Sequence, residues 1–272
     1  MSTTTLSAII ITKNEEDNIE RCIKSVQFAN EVIVVDAESK DDTVALAKKM
    51  GAKTFVRPWP GYGPQKNFGA AQATGEWLLF LDADEEVPSK LADEIQRVIT
   101  DPKKDYYWLK IVTVFLRKHL HHLYGHDPRL FRKSAGAWTS YHVHEQIQTN
   151  FGQVIQLGDE LSGVLAQPLY HHTHDTVEAF LRQAAEYTAL DAQYMSKQNR
   201  HRSGRPVSPV WYLPLYLSTR QFVKLYFYKK GILDGYAGFM WSALGARYEY
   251  LTAKKYLRIK SGRRAPHEPV LR

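Results

Sequence analysis

Trp77-Leu78-Leu79-Phe80-Leu81-Asp82-Ala83-Asp84 joins five consecutive apolar residues to two carboxylates spaced two positions apart. An apolar run with no polar alternation reads as a strand covered on both faces. The same arrangement recurs upstream. Ile9-Ile10-Ile11 runs into Thr12-Lys13-Asn14-Glu15, and Val32-Ile33-Val34-Val35 ends at Asp36. Thr54-Phe55-Val56 is a shorter strand of the series. Between the strands the apolar spacing changes to that of helices. Ile19, Cys22, Ile23 and Val26 form one stripe, and Val44, Leu46, Ala47 and Met50 form another that Gly51 stops. A third helix is expected from Pro64 to Thr74, closed by Gly75, and a fourth from Pro88 through Leu91, Ile95 and Val98.

Strand and helix thus alternate four times within the first 100 residues. The fold class expected is α/β, a mostly parallel, Rossmann-like sheet flanked by helices. Ligands of such sheets bind beyond the carboxyl ends of the strands. Three polar clusters fall there: Thr12 to Glu15, Asp36 to Ser39, and Asp82 to Glu86. Thr12 and Glu15 also match a capping box for the first helix, and Asp36 can cap the turn at Ser39. Asp82 and Asp84 offer hard oxygen ligands of the kind Mg²⁺ or Mn²⁺ takes together with phosphate oxygens.

After residue 105 the alternation weakens. Tyr106 to Phe115, Arg129 to Arg132 and Val143 to Ile147 read as strands. Thr176 to Gln198 reads as an amphipathic helix with Phe180, Leu181, Ala184, Tyr187 and Tyr194 on one side. Asn199 to Pro209 has a linker's composition, and Trp211 to Lys260 is dense in aromatic residues and cations. The expected division is a domain over 1–198, with a nucleotide half over 1–104 and an acceptor half over 105–198, followed by a helical extension over 199–272.

The 272 residues are 44% hydrophobic and 24% charged, enough to build a core and to exclude a disordered chain. The net charge of +7 admits an anionic partner, and no nucleic-acid motif accompanies it, so no nucleic acid is expected. The lone Cys22 excludes an intrachain disulfide and points to a reducing compartment; it reads as a core residue rather than a nucleophile. No signal peptide and no bilayer-spanning run is expected. Nine of the eleven histidines lie between His119 and His174, without the spacing of a zinc site.

Ile9 to Glu15, Val34-Val35-Asp36 and Leu81 to Asp84, with Gln65-Lys66-Asn67 between them, resemble glycosyltransferase family 2. Trp59 to Asn67, Arg129-Leu130-Phe131 and Val143-His144-Glu145 are similar to its branch of lipopolysaccharide core β-1,4-glucosyltransferase-like proteins. His121 to His126 departs from that branch, which has more aromatic and glycine residues before the arginine. The resemblance implies an A-type glycosyltransferase fold and transfer with inversion. Thr12, Asn14 and Glu15 would line the nucleoside pocket, Asp36 would bond base or ribose, and Lys66 would face base or diphosphate. Asp84 would be the main ligand of Mg²⁺ or Mn²⁺, assisted by Asp82, with His171 as a diphosphate or further metal contact.

An inverting transfer needs a general base beside the acceptor hydroxyl. Glu145 is the first choice and Asp127 the second. The bland alternatives are a surface strand carboxylate for Glu145 and a solvated helix charge for Lys66. The expected reaction moves a hexose from a nucleotide-sugar, a UDP-sugar in the first instance, to a lipid-linked glycan such as the lipopolysaccharide inner core. The alternatives are a nucleotidyltransferase, which would favour a glycine-rich loop where Thr12 to Glu15 stand, or a non-catalytic nucleotide-sugar or membrane-binding module. The segment 200–260 can contact a membrane surface or pack against protein, a second copy included. The expected location is the cytoplasm, peripheral on the inner face of the plasma membrane.

Overall fold

The computed structural model describes residues 4–139 and 145–262. His142, His144 and Val143 lie outside the described residues. By its internal contacts the chain divides into two compact units, residues 1–112 with 124–172, and residues 113–123 with 173–272.

In the first unit β1 (Leu6–Thr12), α1 (Ile19–Ser25), β2 (Glu31–Asp36), α2 (Thr43–Lys49), β3 (Lys53–Val56), α3 (Tyr62–Gln72) and β4 (Trp77–Asp82) follow in order. β5 (Glu85–Glu86), α4 (Ser89–Thr100), β6 (Tyr106–Phe115), β7 (Lys118–Arg132), β8 (Gly136–Trp138), β9 (Ile147–Thr149) and β10 (Ser162–His174) come next. The main sheet has the order β3-β2-β1-β4-β7-β6-β10-β5. β3, β2, β1 and β4 are parallel to one another, β7 joins β4 antiparallel, and β5 pairs antiparallel with β10.

The apolar runs are explained by two covered faces. Leu6, Ala8 and Ile10 of β1 and Trp77, Leu79 and Leu81 of β4 pack with Ile19, Ile23, Leu91 and Ile95 of the helices on one side. Ile9, Leu78 and Phe80 point the other way, toward Ala73, Phe131 and Trp138. Side chains of a strand alternate faces, so a strand buried on both must be apolar throughout. Cys22 is fully buried in the first of these cores.

Helix α3 lies close on β1 because residue 69 is glycine. A Cβ there would collide with Cγ2 of Ile9. Gly69→Ala is therefore expected to lower stability by about 1–2 kcal/mol, overpacking outweighing the gain in helix propensity. Chemical denaturation checks this, and an unchanged midpoint would contradict it.

Several local expectations are corrected. Helix α1 starts at Ile19 with Asn18 at its cap, so the Thr12–Glu15 capping box does not form, and Thr12 stays the last residue of β1. Helix α3 ends at Gln72 instead of Thr74, because the backbone N–H and hydroxyl of Thr74 donate to Glu31 at 2.5 and 2.7 Å. Gly75 is needed for close approach to Ser7, not for a helix stop. The strand expected over Val143 to Ile147 starts only at Ile147, so Glu145 is not a strand residue.

Glu31 ties these edges together. It also accepts bonds from Ser7 Oγ at 2.5 Å and Lys53 Nζ at 2.6 Å. Burial alone would raise its carboxyl, and the bonds from Lys53, Ser7 and Thr74 outweigh that, bringing it down from 4.5 to about 2. A carboxyl lowered on folding stabilises above its unfolded value and loses that contribution as pH falls toward the folded one. The denaturation midpoint is expected to fall between those two pH values, and to fall less steeply in Glu31→Gln. Equal slopes for the two proteins would contradict it.

In the second unit α5 (Val177–Gln198) begins at Thr176, whose hydroxyl accepts a bond from Ala179 N–H at 3.1 Å. Its buried face is Ala184, Thr188, Ala192 and Met195, and Tyr187 and Tyr194 are exposed, a rotation from the face expected. α6 (Leu213–Val223) continues as a π turn (Lys224–Tyr228), and a 3-10 turn (Gly231–Asp234) leads into α7 (Gly235–Lys260). Ala192 and Met195 of α5, Leu213 and Leu217 of α6, and Ala253 and Tyr256 of α7 share one core. Among the described residues no helix is long and apolar enough to cross a membrane.

Candidate active site

The site residues lie in the first unit, at the carboxyl ends of its parallel strands. Register places them side by side: Thr12 stands opposite Asp36, and Ile11 opposite Asp82. The loops after β1 and β2 interlock. Buried Asp36 accepts bonds from Ser39 N–H at 2.8 Å and Ser39 Oγ at 2.5 Å. Ser39 Oγ in turn accepts from Asn14 N–H at 2.7 Å, and Asn14 Oδ1 accepts from Lys40 N–H at 2.8 Å. Asn14 and Glu38 hold left-handed backbone with φ of 53° and 57°, a conformation asparagine tolerates better than most residues. Asp36 thus does cap the turn at Ser39. Glu15 N–H donates to Thr43 Oγ1 at 2.8 Å, and Glu15 Oε2 accepts from Asn18 Nδ2 at 2.7 Å. Burial raises the Glu15 carboxyl, the Asn18 bond partly offsets this, and the Asp84 charge adds to it. The hydroxyl oxygen of Thr12 is buried with no partner.

The end of β4 carries a denser charge cluster. Arg129, from β7, is buried and its Nη2 donates to Asp82 Oδ2 at 2.9 Å and to Glu85 Oε1 at 2.7 Å. Glu85 Oε2 also accepts from Asp82 N–H at 2.9 Å. Burial alone would raise both carboxyls. The Arg129 and Lys66 charges hold Asp82 ionised, well below the usual carboxylate range. Glu85 stays elevated, burial outweighing Arg129 and the Asp82 charge adding to it. The opposite shifts follow from one cation serving two adjacent acids, Glu85 buried and Asp82 half-buried. The short pairing of β5 with β10, Glu85 with His171, brings His171 Nε2 to 3.0 Å from Asp84 Oδ2. Burial would lower His171, and the Asp84 bond with the charges of Glu85 and Asp82 raises it to about 9.

Helix α3 builds the other wall. Gln65 Nε2 donates to the Val35 carbonyl at 3.3 Å, and Asn67 pairs through both ends of its amide with the backbone of Trp138, at 2.8 and 2.9 Å. Lys66, between them, is only 3% exposed. Its Nζ donates to Glu145 Oε1 at 2.5 Å and lies 4.3 Å from the centre of the Trp138 ring. The solvated helix charge is thus excluded, and Lys66 faces the carboxylate rather than open solvent. A cavity of 630 Å³ opens here, with Tyr62, Trp108 and Trp138 as aromatic walls and Lys66, Asp82, Asp127, Arg129 and Glu145 as charged ones. Asp127 is 58% exposed at its side chain and 3.9 Å from Arg129. Asp84, His171, Asn14, Glu15 and Asp36 do not line this cavity.

Of the residues expected from the sequence, the structure brings Lys66, Asp82, Asp127 and Glu145 to this cavity and leaves Asp36, Asp84 and His171 outside its lining; Glu85, Trp108, Trp138 and the counter-ion role of Arg129 were not expected. Arg129 carried a signal, a cation inside the apolar Leu130-Phe131 run, where only pairing with buried acid makes it tolerable. Among the described residues no three His, Cys, Asp or Glu side chains are gathered as a ready metal cage.

Comparison with known proteins converges on one family. Residues 7–156 match Glycosyl transferase family 2. An uncharacterized glycosyltransferase of Rickettsia felis is 31% identical over 263 residues, covering 92% of this chain and 88% of that protein. The lipopolysaccharide core biosynthesis glycosyltransferase LpsC of Rhizobium meliloti is 28% identical over 265 residues, covering 92% of this chain and 91% of that protein. Among solved structures, TarS of S. aureus aligns over 93% of this chain and 55% of its own, at 16% identity and a TM-score of 0.46.

Proposed function

The chain belongs to glycosyltransferase family 2, and from that premise we propose that it moves a hexose with inversion from a nucleotide-sugar, a UDP-sugar in the first instance, to a lipid-linked glycan. The observation that carries this reading is the shared cavity wall. Asp82, at the strand end beside Thr12 and Asp36, and Glu145, held by Lys66, open on the same 630 Å³ space. Tyr62 and Trp108 line it with aromatic rings against which a sugar ring can rest. The likeness to LpsC favours a lipopolysaccharide core acceptor, and the reaction would then run at the inner face of the plasma membrane.

Glu145 takes the proton of the acceptor hydroxyl as that oxygen bonds to the anomeric carbon. The bond from that carbon to the diphosphate breaks, and the nucleoside diphosphate leaves with its electron pair. Lys66 fixes the orientation of Glu145 through the bond to Oε1; Asp127 is the alternative base. Thr12, Asn14, Glu15 and Asp36 form the donor side.

The residues fit a divalent cation. Asp82 Oδ1 is buried without a partner while its other oxygen serves Arg129, Asp84 supplies a carboxylate oxygen, and His171 would supply an imidazole nitrogen on giving up its proton to the ion. Mg²⁺ and Mn²⁺ at phosphoryl sites use few protein ligands and complete their shell with phosphate and water, so a ready cage is not required. Asp84, with Asp82 and His171, would hold the ion, whose charge offsets that developing on the diphosphate.

Glu145→Gln tests the base. Donor affinity is expected to hold while turnover falls by about 10²–10⁴. Unchanged turnover would remove Glu145 as base and move the role to Asp127.

A further inference from the structure

The C-terminal unit leaves a broad aromatic face uncovered. On α6 the core side is Leu213, Pro214 and Leu217. The opposite side, at helical spacing, is Tyr212, Leu215, Tyr216, Thr219 and Val223, and all five are exposed. They form one wall with Arg220, Lys224 and Tyr228 around an open groove of 630 Å³. Trp211, 83% exposed, packs its ring edge-on against Tyr212 at 5.7 Å between centres. At the other end Phe222, Tyr226, Phe227 and Phe239 are in mutual ring contact, which carries the face on to the start of α7. Leu233 and Tyr236 next to it are 63% and 71% exposed. Contiguous apolar surface of this kind marks an interaction site.

Charge selects the partner. Residues 211–239 hold Arg220, Lys224, Lys229 and Lys230 and a single carboxylate, Asp234. Even that one is withdrawn. Its side chain is 2% exposed and accepts bonds from His122 N–H at 3.1 Å and pairs with His122 Nδ1 at 3.0 Å. The face therefore presents cations and no acid. Two copies pressed together through it would set like charges against each other. Protein interfaces are depleted in lysine, yet Lys224, Lys229 and Lys230 stand beside these rings. Tyrosine and tryptophan flanked by lysine and arginine is the composition that sits at a lipid headgroup layer.

We propose that the face formed by Trp211 to Phe239 docks the protein on an anionic lipid bilayer, peripherally, with the aromatic side chains in the headgroup region and the cations on acidic headgroups. The proposal rests on the transferase reading only for its purpose, which is to reach a lipid-linked acceptor.

Flotation of the full chain with vesicles of phosphatidylcholine alone, and of phosphatidylcholine mixed with phosphatidylglycerol, tests it. Partition onto the anionic vesicles is expected to exceed that onto neutral ones by about tenfold or more, and to weaken with added salt. Trp211→Ser/Leu215→Ser/Tyr228→Ser and Lys224→Glu/Lys230→Glu should each lower it about tenfold, with Lys48→Glu/Lys49→Glu as an unchanged control. These residues are exposed, and an unaltered circular dichroism spectrum verifies folding. No binding, equal binding to both vesicle types, or wild-type binding by the variants would overturn the proposal. So would a dimer in sedimentation velocity that the triple substitution dissolves, which would assign the face to a second copy. Donor binding in solution is read on the same samples. Its loss in the unsubstituted protein would count against the transferase reading and leave the vesicle result to stand by itself.

Discussion

Replacing Asp84 with alanine is expected to lower transfer by about 10³-fold or more while the protein remains folded. The side chain is partly exposed and, among the described residues, bonds His171, whereas the fold uses the Asp84 backbone, whose carbonyl accepts from His172 N–H at 2.9 Å. Alanine leaves that backbone bond in place. What it removes is a half-buried carboxylate at the end of β4 that Arg129 does not hold; Asp82 is committed to Arg129, and Glu85 is buried and inclined to hold a proton. A divalent ion would keep one oxygen of Asp82 and the His171 nitrogen, too little charge to hold it beside a diphosphate. Losing a transition-state charge partner of this kind costs several kcal/mol. Steady-state transfer, with a denaturation curve on the same sample, checks both halves. Near-normal turnover in Asp84→Ala would remove the residue from the metal site.

The largest effect on stability is expected at Arg129. Arg129→Met leaves Glu85 buried and Asp82 half-buried without their cation, a change worth about 2–4 kcal/mol once the solvent reaching Asp82 is allowed for. Part of the loss is recoverable, because Glu85 can take up a proton, while the charges of Lys66 and His171 still favour the ionised form of Asp82. Arg129→Met/Glu85→Gln should therefore be more stable than Arg129→Met. A sign follows for Glu85 itself. A carboxyl raised on folding contributes most below its unfolded value, and that contribution is lost as pH rises through the folded one. Glu85→Gln should gain on the wild type as pH rises across that interval. Urea denaturation across pH checks both statements, and a variant Arg129→Met as stable as the wild type would contradict the role of Arg129 as counter-ion.

The parallel half of the sheet was legible because its evidence is local. β1, β2 and β4 are each largely an apolar run, and each ends in a polar residue near the others in register. The antiparallel half was not. β7 reads Lys118-His119-Leu120-His121-His122 at its start, a polar stretch without an apolar run to announce a strand, and its neighbours in the sheet are β6, just before it in the chain, and β4. The capping box at Thr12 failed for a related reason. Residues 12–15 bond to the loop after β2, with Asn14 on Ser39 and Glu15 on Thr43, and a sequence window around Thr12 contains neither partner. The pairing of Lys66 with Glu145 spans 79 positions, and that of His171 with Asp84 spans 87. Both residues of each pair were singled out, and only the fold brought them together.

The central claim is that the strand ends and Asp84 bind a nucleotide-sugar together with a divalent ion. Calorimetric titration of UDP-, GDP- and CMP-sugars, with and without Mn²⁺, tests it on the wild type and on Asp84→Ala. The expected result is binding of one nucleotide class, UDP first, that requires Mn²⁺ and is absent in Asp84→Ala. Binding that is equally tight without the metal, or that survives in Asp84→Ala, would contradict the metal site, and no binding of any donor to the folded protein would contradict the donor site itself.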